Sequence, residues 1–135
     1  MIDNHPTSRC RKCNKLFYIE ELCDNMCVLC GGTPNIPRIV CLCGSTRFKD
    51  EFIQANKDET LKGNIVLTVG LFGHHEPNFD MSSDMKLMLD ELHKRKIDLA
   101  NEILVINVNH YIGNSTKSEI EYAQSKGKVV RYLWN

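Results

Sequence analysis

Beyond about residue 38 the chain alternates short, almost wholly apolar runs with stretches whose apolar residues recur at helical spacing. "RIVCLCG" predicts a strand ended by glycine, and "STRFKDEFIQANKDETLKG" predicts a helix with Phe48, Phe52, Ala55 and Leu61 on one face, closing at Gly63. "NIVLTVG" predicts a second strand, followed by the polar loop "LFGHHEPNFDMSS". Ser82 or Ser83 then caps a long helix carrying Met85, Met88, Leu89 and Leu92. "EILVINVN" predicts a third strand, "GNSTKSEIEYAQSKGK" the next helix and "KVVRYLW" a fourth strand. Strands this rich in Val, Ile and Leu are buried on both faces, and their alternation with helices builds a parallel, doubly wound α/β sheet with right-handed crossovers and helices on both sides. Ligands in such a sheet bind beyond the carboxyl ends of the strands, where the strand order reverses. That rule singles out "GSTRF", "GLFGHHEP" and "NHYIGNSTKSE".

The first 37 residues read differently. They lack helical or strand periodicity and end in the turn-rich connector "GGTPNIP". The chain therefore divides into residues 1–37, a small module, and residues 38–135, an α/β domain. Cys10, Cys13, Cys27 and Cys30 form two C-x-x-C pairs separated by 13 residues. Four thiolates at this spacing complete a tetrahedral, closed zinc site, and metal binding supplies folding free energy to a segment too small for a core. A redox C-x-x-C and a disulfide pair are the competing readings, with Cys23 left over as a free thiol.

Composition narrows the function. The 135 residues carry 17 basic and 17 acidic side chains, so no net charge draws the molecule to nucleic acid or an anionic membrane. Residues 1–37 hold four charges of each sign, which favours an oligomer or protein contact over nucleic acid for that module. No apolar run is long enough to cross a bilayer, and "MIDNHPTSRC" lacks the features of a secretory signal, which predicts a cytoplasmic location with reduced cysteines.

Candidate chemistry clusters at the loops. Gly44 permits a tight turn after the first strand, and Ser45 and Thr46 offer hydroxyls and N–H groups at a helix start, where an anion binds; Arg47 adds a bidentate contact. Helix capping alone also accounts for Ser45 and Thr46. Gly113, Ser115 and Thr116 open the last helix. "TKSE" fits a capping box, with Thr116 as N-cap and Glu119 reaching back, and the helix N-terminus would hold Glu119 as an anion. An anionic carboxylate in that place also suits attack on a sugar anomeric carbon. Cys41 and Cys43, two apart on a strand, read as core residues, and His74, His75 and Glu76 as a covering loop rather than a metal site. His110 and Tyr111 stack on a base or serve packing, and Trp134 closes the core edge.

"CGSTRF", the carboxylate of "KIDLANEILVINV" and "GNSTKSEIEYAQSKGKVV", in that order, resemble the nucleoside 2-deoxyribosyltransferase superfamily, including the nucleoside 5'-monophosphate N-glycosidases. The resemblance spans about residues 38–135 and includes Tyr122, Ala123, Gly127 and Lys128 after Glu119. It implies a flavodoxin-like or Rossmann-like parallel fold of about four strands and cleavage of the bond between base and sugar, with Glu119 as nucleophile and Asp98 as the second carboxylate. It assigns Ser45 and Arg47 to the sugar or 5'-phosphate, with Ser115 helping from the far side. It also implies a homo-oligomer, a small-molecule nucleoside or nucleotide substrate and no organic cofactor, which leaves zinc structural. Glu121 stands where many members have glycine and reads as an extra acid facing solvent, whereas the absence of an acidic residue in "NHYIGNST" counts against deoxyribosyl transfer to a second base more than against cleavage. A nucleotide-binding sensor or regulatory domain, with Glu119 as a cap alone, is the non-catalytic alternative.

Overall fold

A computed structural model of the chain describes residues 8–9, 16–17, 37–73 and 82–135. The chain forms two compact units, residues 1–37 and 38–135. In the first unit, β1 (Ser8–Arg9) pairs antiparallel with β2 (Leu16–Phe17). Cys10, Cys13, Cys23, Cys27 and Cys30 lie outside the described residues, as does the zinc expectation placed on them, and so do His74, His75 and Glu76.

The second unit follows the order β3 (Ile39–Gly44), α1 (Lys49–Leu61), β4 (Ile65–Leu67), α2 (Ser83–Leu99), β5 (Glu102–Ile106), α3 (Asn114–Ser125) and β6 (Val129–Tyr132). Its four strands are all parallel, in the order β4-β3-β5-β6, consistent with a Rossmann-like fold. After β4 the chain crosses back over β3 to lay down β5, so the strand order reverses between β3 and β5. Among the described residues no helix is long and apolar enough to cross a membrane.

Side-chain alternation along β3 and β5 divides the core into two layers. Val40, Leu42, Leu104 and Ile106 pack with Phe52 and Ala55 of α1. Cys41, Cys43, Ile103 and Val105 face Ile97 of α2 and Ile120 and Ala123 of α3. Burying each of the large residues stabilises the domain by roughly 1.5–3 kcal/mol. Among the strands, full burial is confined to the two central ones. β4 is shorter than "NIVLTVG" predicts, and β4 and β6 are only partly covered because each has a strand on one side alone.

Several helix expectations change. Ser82 caps α2 by accepting a hydrogen bond from the Met85 N–H at 3.2 Å. The face marked by Met85, Met88 and Leu92 is largely exposed, however, and the buried residues of α2 are His93 and Ile97. In α1 the buried residues are Phe52, Ala55 and Glu59, whereas Leu61 at its end is exposed. Trp134 does not close the core edge: its ring is half exposed, and its backbone N–H and C=O are held by the buried Asn107 side chain at 2.8 and 2.9 Å.

Gly44 is required where β3 meets β5. A Cβ there would stand 2.8 Å from the Ile106 carbonyl oxygen and 3.0 Å from the Ile106 Cβ. Glycine thus lets the two central strands stay close at the carboxyl ends that border the site.

Candidate functional site

A cavity of about 670 Å³ opens at the carboxyl ends of β3 and β5. That volume is the size of a small-molecule site and its place is the switch point of the sheet. Gly44, Ser45 and Thr46 form one wall, and Gly113, Ser115, Thr116 and Glu119 form another. Arg47 is not on the wall; its guanidinium lies 4.4 Å from the ring centre of Tyr111, which is. Ser45 and Thr46 do not start α1, because a turn closed by the Phe48 N–H to the Ser45 carbonyl at 3.1 Å delays the helix to Lys49. The cavity therefore meets hydroxyls on a turn there, and not a helix N-terminus.

Glu119 is not a cap. The extended backbone of Gly113 begins α3 at Asn114, with no side-chain capping bond. Thr116 is consequently a buried residue of the first turn, and Glu119 falls in the second turn, facing α2. Its Oε2 is buried, has no hydrogen-bond partner among the described residues and lies 3.9 Å from His93 Nε2. Burial, reinforced by the charges of Cys41 and Asp90 and opposed by His93, pushes its pKa up to about 7. Desolvation outweighs the helix terminus that was expected to hold it firmly anionic.

Asp98 sits elsewhere. It ends α2 at the amino ends of the strands, near the corner where the Asn101 side chain accepts from the Ile39 N–H at 2.7 Å. Its carboxylate accepts from Tyr122 Oη at 2.6 Å and pairs with Arg95 at 3.3 Å. The hydrogen bond from Tyr122 and the charge of Arg95 hold its pKa below the usual aspartate value. The six residues of β3, roughly 16 Å of strand, separate that corner from the cavity. The carboxylate that does line the cavity with Glu119 is Asp90, which accepts from Lys86 Nζ at 2.9 Å.

Four residues of α2 at the site escape the sequence reading. Lys86 bridges Asp90 and Ser115, reaching the Ser115 hydroxyl at 3.0 Å, and Lys96 donates to the Thr68 carbonyl at 2.7 Å. Asp90 stands beside Glu119. His93, 6% exposed, is buried between helix and sheet. The run "HKRK" reads as surface charge, yet Leu89, His93 and Ile97 at four-residue intervals place the imidazole on the inward stripe.

Cys41 and Cys43 are core residues, as expected, and they also bear chemistry. Their sulfurs lie 3.7 and 3.3 Å from His93 Nε2. The hydrogen bond from Cys43, opposed by burial and helped by His93, lowers Cys41 to about 5. The same bond and burial raise Cys43. Burial works against a charge on His93, but its bond to Cys41 and the Glu119 charge outweigh this and raise its pKa. Cys41, Cys43 and His93 are close enough to hold a metal ion, their donor atoms all lying within 4.8 Å of one another. After β5, Asn109 and His110 both adopt positive φ, and the His110 ring meets Trp134 edge-on at 6.2 Å, away from the cavity lining. Tyr111 packs edge-on against Phe48 at 5.9 Å. Comparison with protein families, curated proteins and solved structures found no match.

Proposed function

We propose that the protein cleaves the N-glycosidic bond of a nucleoside or nucleoside 5'-monophosphate, with Glu119 as nucleophile. The observation that carries this reading is a carboxylate freed from any capping role, in the wall of a nucleoside-sized cavity at the switch point. Cleavage passes through an oxocarbenium-like transition state, which negative charge beneath the sugar stabilises. A Glu119 oxygen bonds to C1', the C1'–N bond breaks, and its electron pair goes to the departing base, which takes a proton relayed from solvent by way of Asp90. Water or a second base then attacks C1' and gives up its proton by the same route, while the bond from C1' to Glu119 breaks and returns the carboxylate.

The remaining wall residues suit the two ends of such a substrate. Ser45, Thr46 and Ser115 offer hydroxyls to the sugar, Lys86 and Lys96 offer positive charge to a 5'-phosphate, and Tyr111 offers a ring face to the base. Asp90 takes the place of Asp98 as the second carboxylate, next to the proton that the leaving base needs. The turn of Oε2 towards His93 favours a second reading, in which the cavity binds a nucleotide without cleaving it and Glu119 serves the buried cluster. Incubating the protein with ribo- and deoxynucleosides and their monophosphates, with Glu119→Ala as control, separates the two. Free base on chromatography supports cleavage, and intact substrate with measurable binding supports the sensor.

A further inference from the structure

Two elements, β3 and α2, meet at the cavity floor. Cys41 and Cys43 project from one face of β3, and α2 carries His93 against them, all three at or below 6% exposure. The His93 Nε2 separations from the two sulfurs, 3.7 and 3.3 Å, allow a geometric test. On one tetrahedral zinc ion, with metal–sulfur near 2.3 Å and metal–nitrogen near 2.0 Å, a sulfur and a nitrogen donor stand about 3.6 Å apart. The observed pair brackets that value. A nitrogen and a carboxylate oxygen on the same ion would stand about 3.3 Å apart. At 3.9 Å from Nε2, Glu119 Oε2 is too far to share the ion and close enough to border it.

We propose that Cys41, Cys43 and His93 bind a thiophilic divalent cation of the zinc class, with its fourth position opening towards Glu119 and the cavity. Two thiolates and an imidazole select such an ion over magnesium or calcium, which require oxygen donors. The lining supports the orientation, since His93 and Glu119 are on the cavity wall and the two cysteines are behind it. The fourth position, left to solvent or to a substrate atom, then lies beside the orphaned Glu119 oxygen, and a donor held there would satisfy it. Three protein ligands with one open position is the arrangement of a catalytic zinc site, in contrast to the closed four-cysteine pattern of residues 10–30. The inference does not depend on the glycosidase reading.

The test uses the full chain, reduced and loaded with zinc, with bound metal counted per chain by plasma mass spectrometry after removal of excess. Because the cysteines of residues 1–37 form a separate candidate set, the informative quantity is the difference between variants. Cys43→Ser and His93→Gln, each checked for native circular dichroism, are expected to hold about one ion per chain fewer than wild type. Glu119→Gln is expected to keep the wild-type count while losing any glycosidase activity, so the two readings fail separately. Equal counts in wild type and both ligand variants overturn the site. Should those variants not fold, X-ray absorption at the zinc edge of the wild type decides: imidazole scattering beside sulfur supports the site, and a pure sulfur shell overturns it.

Discussion

His93 Nε2 and Glu119 Oε2, from different helices, approach to 3.9 Å beneath the cavity, and among the described residues none makes a hydrogen bond to that carboxylate oxygen. A buried polar atom left in this state costs stability. Glu119→Leu should therefore raise the melting temperature, by the equivalent of about 1–2 kcal/mol, while abolishing cleavage. Thermal unfolding of metal-free protein measures the first, and an unchanged or lowered melting temperature would show that the carboxylate is well accommodated.

Gly44→Ala should destabilise the domain by about 1–3 kcal/mol, because the new methyl meets the Ile106 carbonyl and Cβ, neither of which can move without parting β3 from β5. Chemical denaturation should give a lower midpoint with an unchanged slope. The same strain falls on the cavity edge, so substrate binding should weaken too.

The opposite end of the sheet carries an ionic network in which two buried carboxylates meet partly exposed arginines. Arg131 joins Glu59 at 3.1 Å and Glu102 at 2.9 Å, and Arg38 reaches Glu102 at 3.3 Å. Burial works to raise the Glu59 pKa, yet hydrogen bonds from Arg131, Asn64 and Lys62 outweigh it and hold the value below the ordinary 4.5. A carboxylate whose folded pKa lies below its unfolded one stabilises the fold above the unfolded value, and that contribution is lost as pH falls through the folded one. Glu59→Gln should cost about 2–3 kcal/mol at neutral pH, and its penalty should shrink as the pH drops below about 4.5. Urea titrations from pH 7 to pH 3 test this, and a penalty independent of pH would contradict it.

Asp98→Asn should leave base release and its substrate dependence at the wild-type level, since Asp98 is engaged by Tyr122 and Arg95 away from the cavity. Asp90→Asn should lower the rate by roughly 10²-fold or more, the usual contribution of a positioned acid–base group. Steady-state kinetics on the pair decides which carboxylate serves.

Much of the α/β domain is legible in the chain, because β3 and β5 are long enough in Val, Ile, Leu and Cys to declare burial on both faces. Glu119 and the Ser45, Thr46 and Ser115 hydroxyls were within reach too, since strand ends followed by polar turns mark where a parallel sheet binds ligands. The Cys41, Cys43 and His93 cluster was not, because its members are about 50 residues apart and meet only through the crossover of α2. Asp98 fails for a different reason: in a parallel β-α-β crossover α2 starts near the carboxyl ends of the strands and ends just before the amino end of β5. Asp90, a little over two helical turns earlier, is therefore the carboxylate nearer the cavity. Glu119 looked like a cap because "TKSE" is a good local pattern, but Gly113 starts the helix first.

The most direct measurement is the release of free base from nucleosides and nucleoside 5'-monophosphates by wild type and by Glu119→Gln, followed by chromatography. The account predicts release by the wild type and a loss of roughly 10³-fold or more in the variant, with a glycosyl adduct on Glu119 trapped from the wild type alone. Release that persists in Glu119→Gln, or no release from any member of the panel, would contradict it.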